Sequence, residues 1–202
     1  MPRPSLKDQR SEQILDAYLT CVARYGLDGA TQERIATQAG VKRPLLRHYL
    51  GNKDEMIAAL ATHVVAEYAA LTAFVQGELT AVETPQDLVA YLYQEDPASD
   101  PRLMLAWQAL TVAVADYPDM REPLLDSLAQ FVDTIAATLN RVAPQAGLTR
   151  IRAVTQGIVA PYVTLDSISP LNPPENWRAE MRHAALILAA SLTSDVTPEQ
   201  IG

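Results

Sequence analysis

Six basic or imidazole side chains lie within 20 residues of the sequence, between positions 34 and 53. They are Arg34, Lys42, Arg43, Arg47, His48 and Lys53. Arginine and lysine bind phosphate oxygens, and the arginine fork also matches the O6 and N7 acceptors of guanine. The cluster therefore indicates a surface for a polyanion such as nucleic acid, with a solvated basic face as the alternative.

The charge of the chain is unevenly divided. The formal net charge is −8, yet residues 1–53 hold nine Lys or Arg against five Asp or Glu, a balance of +4, which leaves −12 for the remainder. Such an asymmetry suits a first quarter that meets a polyanion and a remainder that repels one.

Other kinds of site find little support. The histidines His48, His63 and His183 are far apart, and the sequence has no Gly-rich phosphate loop and no nucleophile elbow. The single Cys21 lies among apolar residues, which fits the core of a cytoplasmic protein. We therefore expect no catalytic residue, no metal and no cofactor. We also expect no membrane partner, because no run approaches about 18 consecutive apolar residues.

The basic residues belong to a segment with helical periodicity. Residues 10–25 carry an apolar stripe at helical spacing and end before Gly26. Thr31 is placed to cap a short helix that ends before Gly40, and a second short helix follows. Residues 53–75 then predict a long amphipathic helix.

Proline and aspartate mark the later helices. Thr84 and Asp100 each precede a proline, an arrangement that opens a helix. Breaks around Pro118, Gly147 and Pro173 separate apolar runs of 15 to 25 residues. With no alternating strand pattern, the sequence predicts an all-α fold of about nine helices.

Three residues give the short helices the character of a helix-turn-helix. A small Ala36 allows two helices to approach, Gly40 can adopt the positive φ of a tight turn, and Leu46 can fill the angle between the helices. The basic residues Lys42, Arg43, Arg47 and His48 then lie where a recognition helix faces the major groove.

The segment from Arg10 to Met56 resembles the DNA-binding domain of the tetracycline-repressor (TetR) family of bacterial transcriptional regulators. The features in register are "YG" at the end of the first helix, Thr31 at the start of the second, "IA..AGV", "LL.HYL" and "NKDEM". The resemblance implies a helix-turn-helix domain over residues 1–52. It also implies an all-helical domain over 53–202 that binds an effector and forms a homodimer through its last two helices.

The resemblance also implies roles in binding double-stranded operator DNA. Thr31, Tyr49, Lys53 and the amides that open the fourth helix would hold phosphates, and Lys42, Arg43, Pro44 and His48 would face the groove floor. A solvent or phosphate contact is the alternative for His48. The sequence departs from the family at two positions, and both departures add positive charge. Lys42 stands where many members have Ser, and Arg47 stands where many have Tyr. Arg47 can still hold a phosphate, and Pro44 offers a start for the recognition helix.

The function implied is a ligand-responsive regulator, most simply a repressor of a palindromic operator. An all-helical small-molecule carrier or scaffold is one alternative, and a helical-bundle enzyme is a weaker one. Aromatic or polar residues on apolar helices are candidates for the effector pocket, with ordinary core packing as their alternative. They are Tyr68, Tyr91, Met104, Trp107, Gln108, Thr111, Phe131, Tyr162 and Asp166.

The predicted last two helices, 148–168 and 174–193, carry residues suited to close packing in a dimer: Ala153, Val154, Ala184, Ile187, Leu188 and Leu192. Pro161 lies inside the first of them and predicts a kink that Gly157 absorbs. The Gly157 carbonyl would then need another hydrogen-bond donor.

Overall fold

The computed structural model describes residues 6–94 and 100–193, and this part of the chain forms nine α-helices with short 3-10 turns and no strand. The helices are α1 (Leu6–Gly29), α2 (Gln32–Gln38), α3 (Arg43–Leu50), α4 (Lys53–Glu78), α5 (Pro85–Leu92), α6 (Pro101–Ala113), α7 (Arg121–Val142), α8 (Leu148–Ile168) and α9 (Glu175–Ser191). The predicted all-α class is confirmed. The predicted domain ends, 1–5 and 194–202, lie outside the described residues.

The predicted helix starts are confirmed by their caps. The side chains of Thr31, Thr84 and Asp100 each accept a backbone N–H from the first turn of α2, α5 and α6. At α5 the Asp87 carboxylate also accepts the Thr84 amide, at 3.0 Å, which completes a capping box. These local bonds satisfy amides that have no partner within the helix.

Glycines with positive φ make the turns of the N-terminal segment. Gly26 departs from helical geometry with φ 71°, and a further helical turn carries α1 to Gly29, beyond the predicted end at residue 25. Gly40 has φ 63° between α2 and α3, as the turn requires. A left-handed backbone at these positions favours glycine, because it has no Cβ.

One compact unit comprises residues 6–69 and 100–127. Its core joins α1, α2, α3, the first part of α4, and α6, with Ile14, Ile57 and Leu110 fully buried. The Arg102 guanidinium of α6 lies 3.0 Å from the Asp16 carboxylate and donates to the Thr20 hydroxyl of α1 at 2.6 Å. Polar contacts thus fix the start of α6 against the middle of α1.

The second compact unit comprises residues 70–94 and 128–193. Its core contains Leu88 of α5, Ile135 and Leu139 of α7, Ile158 of α8 and Ala185 of α9, all without exposed surface. Arg141 donates to the carbonyls of Leu79 and Val82, at 2.7 and 2.9 Å, and so satisfies the backbone of the 3-10 turn that follows α4.

The long helix α4 belongs to both units, which divide at residues 69 and 70. The domain boundary expected at 52 and 53 stays a prediction. With its 3-10 extension to Ala81, α4 is long and apolar enough, by length and composition alone, to cross a membrane. Met56, Ile57, Leu60 and Val64 nevertheless lie in the core, as in any apolar core helix.

Helix α8 is continuous from Leu148 to Ile168 and includes Pro161. Gly157 serves a close approach: a Cβ at this position would lie 2.7 Å from Cδ1 of Leu188 on α9. The Tyr93 hydroxyl donates a hydrogen bond to the neighbouring carbonyl, that of Ile158, at 3.0 Å.

Candidate nucleic-acid interface

Packing between α2 and α3 follows the predicted helix-turn-helix logic. Leu46 has 0% of its surface exposed and Ala36 only 5%. The amide of Val41 donates to the Ala36 carbonyl at 2.9 Å, which closes the turn around Gly40. Because Leu46 and Leu50 face the core, the other sides of α3 are left for solvent.

Helix α3 presents its basic residues outward. Lys42, Arg43, Pro44, Arg47 and His48 are exposed, and Tyr49 is half-buried. The helix begins one residue before the predicted Pro44: Lys42 is the extended cap residue, with φ −79° and ψ 140°, while Arg43 is already helical. Pro44 thus occupies the second helical position, where its missing N–H costs no intrahelical bond.

The flanks of α3 also hold predicted contact residues. Thr31 is exposed, and its hydroxyl oxygen accepts the Arg34 amide at 3.4 Å, which leaves the hydroxyl hydrogen available to a phosphate. Lys53 is exposed, with its Nζ 3.5 Å from Asp28 Oδ1. Both charges are largely solvated, so this pair holds the lysine only weakly.

Two of the amides that open α4 already have partners. Asn52 Oδ1 accepts the amides of Asp54 and Glu55 at 2.9 and 3.0 Å, and the Glu55 carboxylate accepts the Asn52 amide at 2.7 Å. Phosphate binding by the Asp54 and Glu55 amides would therefore require displacement of the Asn52 side chain.

Two residues of α2 without a DNA contact among the predictions lie beside the interface. Gln32 accepts a hydrogen bond from Nε of Arg43 at 3.2 Å. The Arg34 guanidinium lies 4.3 Å from the centre of the Tyr25 ring and donates to the Gly29 carbonyl at 2.6 Å. Their proximity to Thr31 in sequence was the available signal, because a capped helix start near DNA brings its first turn close to phosphates.

A surface cleft of about 500 Å³ lies beside this interface, lined by Cys21, Tyr25, Thr31, Glu33, Arg34, Thr37 and Gln38. Burial raises the pKa of the Cys21 thiol, and the positive charge of Arg34 partly opposes that shift. A thiol held in its neutral form is a poor nucleophile. Its burial accords with the predicted core role.

The candidate effector residues fall into two groups, one in each compact unit. In the first unit the Tyr68 and Trp107 rings meet edge to face at 5.0 Å, and both are partly buried against its core. Met104 and Gln108 are half-buried on the same helix as Trp107. Thr111 is exposed, and its hydroxyl donates to the Trp107 carbonyl of its own helix.

In the second unit, aromatic candidates lie together. The Phe131 and Tyr162 rings stack at 5.9 Å, and Tyr93, which the sequence analysis did not select, meets Tyr162 at 6.0 Å. Tyr91 and Asp166 are half-buried. Burial raises the pKa of Tyr93 to about 12, with Tyr162 adding to the rise and Arg178 opposing it. A second cleft, of about 370 Å³ between α7 and α8, is lined by other residues.

The predicted dimer residues of α8 and α9 differ in their exposure to solvent. Val154 and Leu192 are buried in their own unit, and Leu188 packs on Gly157, so these three do not lie on an outer face. Ala153 and Ala184 are exposed, and Ile187 is 60% exposed. Ala160 of α8 is exposed too, so small and apolar residues lie on the outer side of both helices, among polar ones such as Gln156 and His183.

Comparisons with known proteins agree with this geometry. Residues 14–60 match the model for bacterial regulatory proteins of the tetR family. The HTH-type transcriptional regulator BetI of Burkholderia thailandensis is 26% identical over 164 residues, which cover 79% of this chain and 81% of that protein.

Two solved structures have a similar fold. A protein from Mesorhizobium loti described as a TetR-family transcriptional regulator has a TM-score of 0.71 and 12% identity, over 94% of this chain and 97% of that one. The regulator FadR of Bacillus subtilis, in complex with stearoyl-CoA, has a TM-score of 0.61 and 15% identity, over 89% and 97%.

Proposed function

The chain belongs to the tetR family of bacterial regulatory proteins, and we propose that it is a cytoplasmic repressor that binds a palindromic operator as a homodimer. The observation that carries the proposal is the exposed basic side of α3, held by the buried Leu46 within the segment that matches the family. The alternative of a carrier or scaffold is not favoured, because the relatives are transcriptional regulators.

Contacts with the operator divide into two kinds. Arg43 near the start of α3 is the candidate reader of a guanine through O6 and N7, with Lys42, Pro44 and His48 beside it on the groove side. Thr31, Arg47, Tyr49 and Lys53 hold phosphates and set the orientation of the protein. The charge of +4 over residues 1–53 supports this assignment.

We propose that the homodimer forms through the outer face of α8 and α9. Ala153, Ala160 and Ala184 permit close helix approach, and the exposed Ile187 supplies apolar surface for burial. A two-fold axis would place two copies of α3 about 34 to 36 Å apart, or at a multiple of that spacing, which matches successive major grooves.

A small molecule would release the operator. In the second unit the Phe131, Tyr162 and Tyr93 rings form an aromatic cluster, with Tyr91 and Asp166 half-buried in the same unit. Tyr68, Met104, Trp107, Gln108 and Thr111 are the corresponding candidates of the first unit. Apolar and aromatic walls with a few polar groups are typical of small-molecule sites.

Selection of genomic fragments by the purified protein tests the proposal. We expect enrichment of one palindromic element, whose binding weakens steeply with salt because neutralised phosphates release counterions. Failure to enrich any sequence over random DNA would overturn the regulator proposal.

A further inference from the structure

We propose that Gln32 is a positioning residue that determines which edge of the Arg43 guanidinium faces the DNA. The inference rests on the proposed function, in which Arg43 reads a base. The Gln32 side-chain oxygen Oε1 accepts a hydrogen bond from Arg43 Nε at 3.2 Å. This bond joins the first residue of α2 to the first residue of α3, across the turn of the helix-turn-helix.

The orientation of the Gln32 amide follows from its two partners. Its Nε2 lies 3.7 Å from the sulfur of Met56, and that thioether can only accept a hydrogen bond. Arg43 Nε can only donate. The amide nitrogen must therefore face Met56 and the oxygen must face Arg43, so the side chain cannot be flipped without loss of both contacts.

The burial of Met56 restricts the position of the Gln32 side chain. Only 2% of its surface is exposed, and it lies in the core near the start of α4. Gln32 is half-buried, whereas Arg43 is exposed. The long arginine side chain is therefore held at its Nε by a residue that is itself fixed against the core.

The hydrogen bond to Nε limits which edge of the Arg43 guanidinium can contact a base. With Nε engaged by Gln32, the side of the guanidinium that combines Nε with one terminal nitrogen is not available for a bidentate contact. The two terminal nitrogens keep their N–H groups and can bond O6 and N7 of guanine end-on. Gln32 would thus contribute to base preference without touching a base.

A comparison of variants in the full-length protein tests this role. The probe is the duplex that the wild-type protein selects from a random-sequence library, together with versions changed at each base pair. Gln32→Leu removes the hydrogen-bond acceptor from a side chain of similar length, whereas Gln32→Glu keeps an acceptor. Arg43→Ala removes the side chain that is proposed to bond guanine. The double variant Gln32→Leu/Arg43→Ala completes a double-mutant cycle, which measures the coupling between the two residues.

We expect Gln32→Leu to lower the preference for guanine by about three- to tenfold, at the same base pair that Arg43→Ala affects. The double variant should lose no more preference than Arg43→Ala alone. Gln32→Glu should retain the preference while it weakens binding to all duplexes alike, because its added charge repels phosphates. Thermal unfolding shows whether each variant is folded. If Gln32→Leu is unfolded, Gln32→Asn takes its place, because the asparagine side chain is too short to reach Arg43.

Several outcomes would overturn the inference. If Gln32→Leu keeps the full guanine preference that Arg43→Ala loses, Gln32 does not position the arginine, and the proposed function stands. A uniform loss on every duplex, additive with Arg43→Ala, would make Gln32 a phosphate contact. If Arg43→Ala changes no base preference, Arg43 does not contact a base, and Gln32 cannot affect base preference through it. If the wild-type protein selects no motif, the proposed function fails and this inference fails with it.

Discussion

Gly157 of α8 lies directly against Leu188 of α9, so that a Cβ at position 157 would approach Cδ1 of Leu188 to 2.7 Å. Carbon atoms pack best at about 3.5 to 4.0 Å. The two helices therefore approach as closely as they do because residue 157 has no side chain. The same two helices carry the outer face assigned to the dimer.

Substitution of Gly157 by alanine should destabilise the protein. Alanine favours a helix by about 1 kcal/mol over glycine, but overpacking against Leu188 costs about 1 to 3 kcal/mol. Since Leu188 is half-buried and can partly turn away, we expect a net loss of about 1 kcal/mol in urea unfolding.

Gly77 of α4 is the matched control, because a Cβ there meets nothing within 4 Å. Gly77→Ala should be neutral or stabilising by about 0.5 kcal/mol. An equal gain in stability at both glycines would contradict the packing role of Gly157.

Ile187→Arg should separate the proposed dimer. The side chain is 60% exposed on the outer face of α9, so arginine there would place two charges near a two-fold axis without disturbing the core. Leu188 is unsuitable for this test because it packs on Gly157. We expect monomers in analytical ultracentrifugation and loss of operator binding.

Val112→Arg provides the control for that substitution, since Val112 is an apolar residue of α6 with 82% exposure. It should leave the oligomeric state unchanged. An intact dimer in the Ile187→Arg protein would place the interface on another surface.

Arg43→Ala and Lys53→Ala should affect DNA binding differently. Loss of a bidentate base contact costs about 1 to 3 kcal/mol and relaxes preference at one position, whereas loss of a phosphate contact weakens all sequences alike and lowers the salt slope. Arg152 is the control: like Lys53 it is exposed and ion-paired, 3.1 Å from Asp133, but it lies in the acidic part of the chain. Arg152→Ala should leave the salt slope unchanged. The roles fail if both interface variants weaken every sequence equally.

Features that depend on neighbouring residues were predictable from the sequence. The cap at Thr84, the positive φ at Gly40 and the burial of Leu46 each follow from residues within one or two turns of chain. The exposed basic face of α3 follows too, since helical spacing separates Leu46 from Arg43 and Arg47.

Features that depend on pairing between distant helices were not predictable. Gly157 looks like a hinge for Pro161 when only α8 is considered, and its packing role needs Leu188, 31 positions later. The bond of Gln32 to Arg43 depends on the angle between α2 and α3. Tyr93 joins the aromatic cluster through contacts with Ile158 and Tyr162, which lie 65 and 69 positions later, so no local pattern distinguished it from Tyr91.

Tyr93→Phe should reveal the buried hydroxyl through a pH dependence. At pH 7.5 the variant loses the hydrogen bond to the Ile158 carbonyl, which costs about 0.5 to 1.5 kcal/mol. In the unfolded chain this tyrosine ionises with a pKa near 10, whereas burial raises the pKa of Tyr93 to about 12 in the folded protein. The folded protein therefore holds the proton more tightly, and its advantage is fully present below pH 10.

As the pH rises from 10 through 12 the wild-type protein should lose this stability, at up to about 1.4 kcal/mol per pH unit, because the unfolded state releases the proton first. Phenylalanine does not titrate, so the difference in unfolding free energy between wild type and variant should shrink over that range. Burial also raises the pKa of Tyr18, but Tyr18 is present in both proteins and cancels in the difference. Urea unfolding at intervals from pH 7.5 to 11 measures the effect, and a difference that stays constant across those values would show that the Tyr93 hydroxyl is not held in its neutral form.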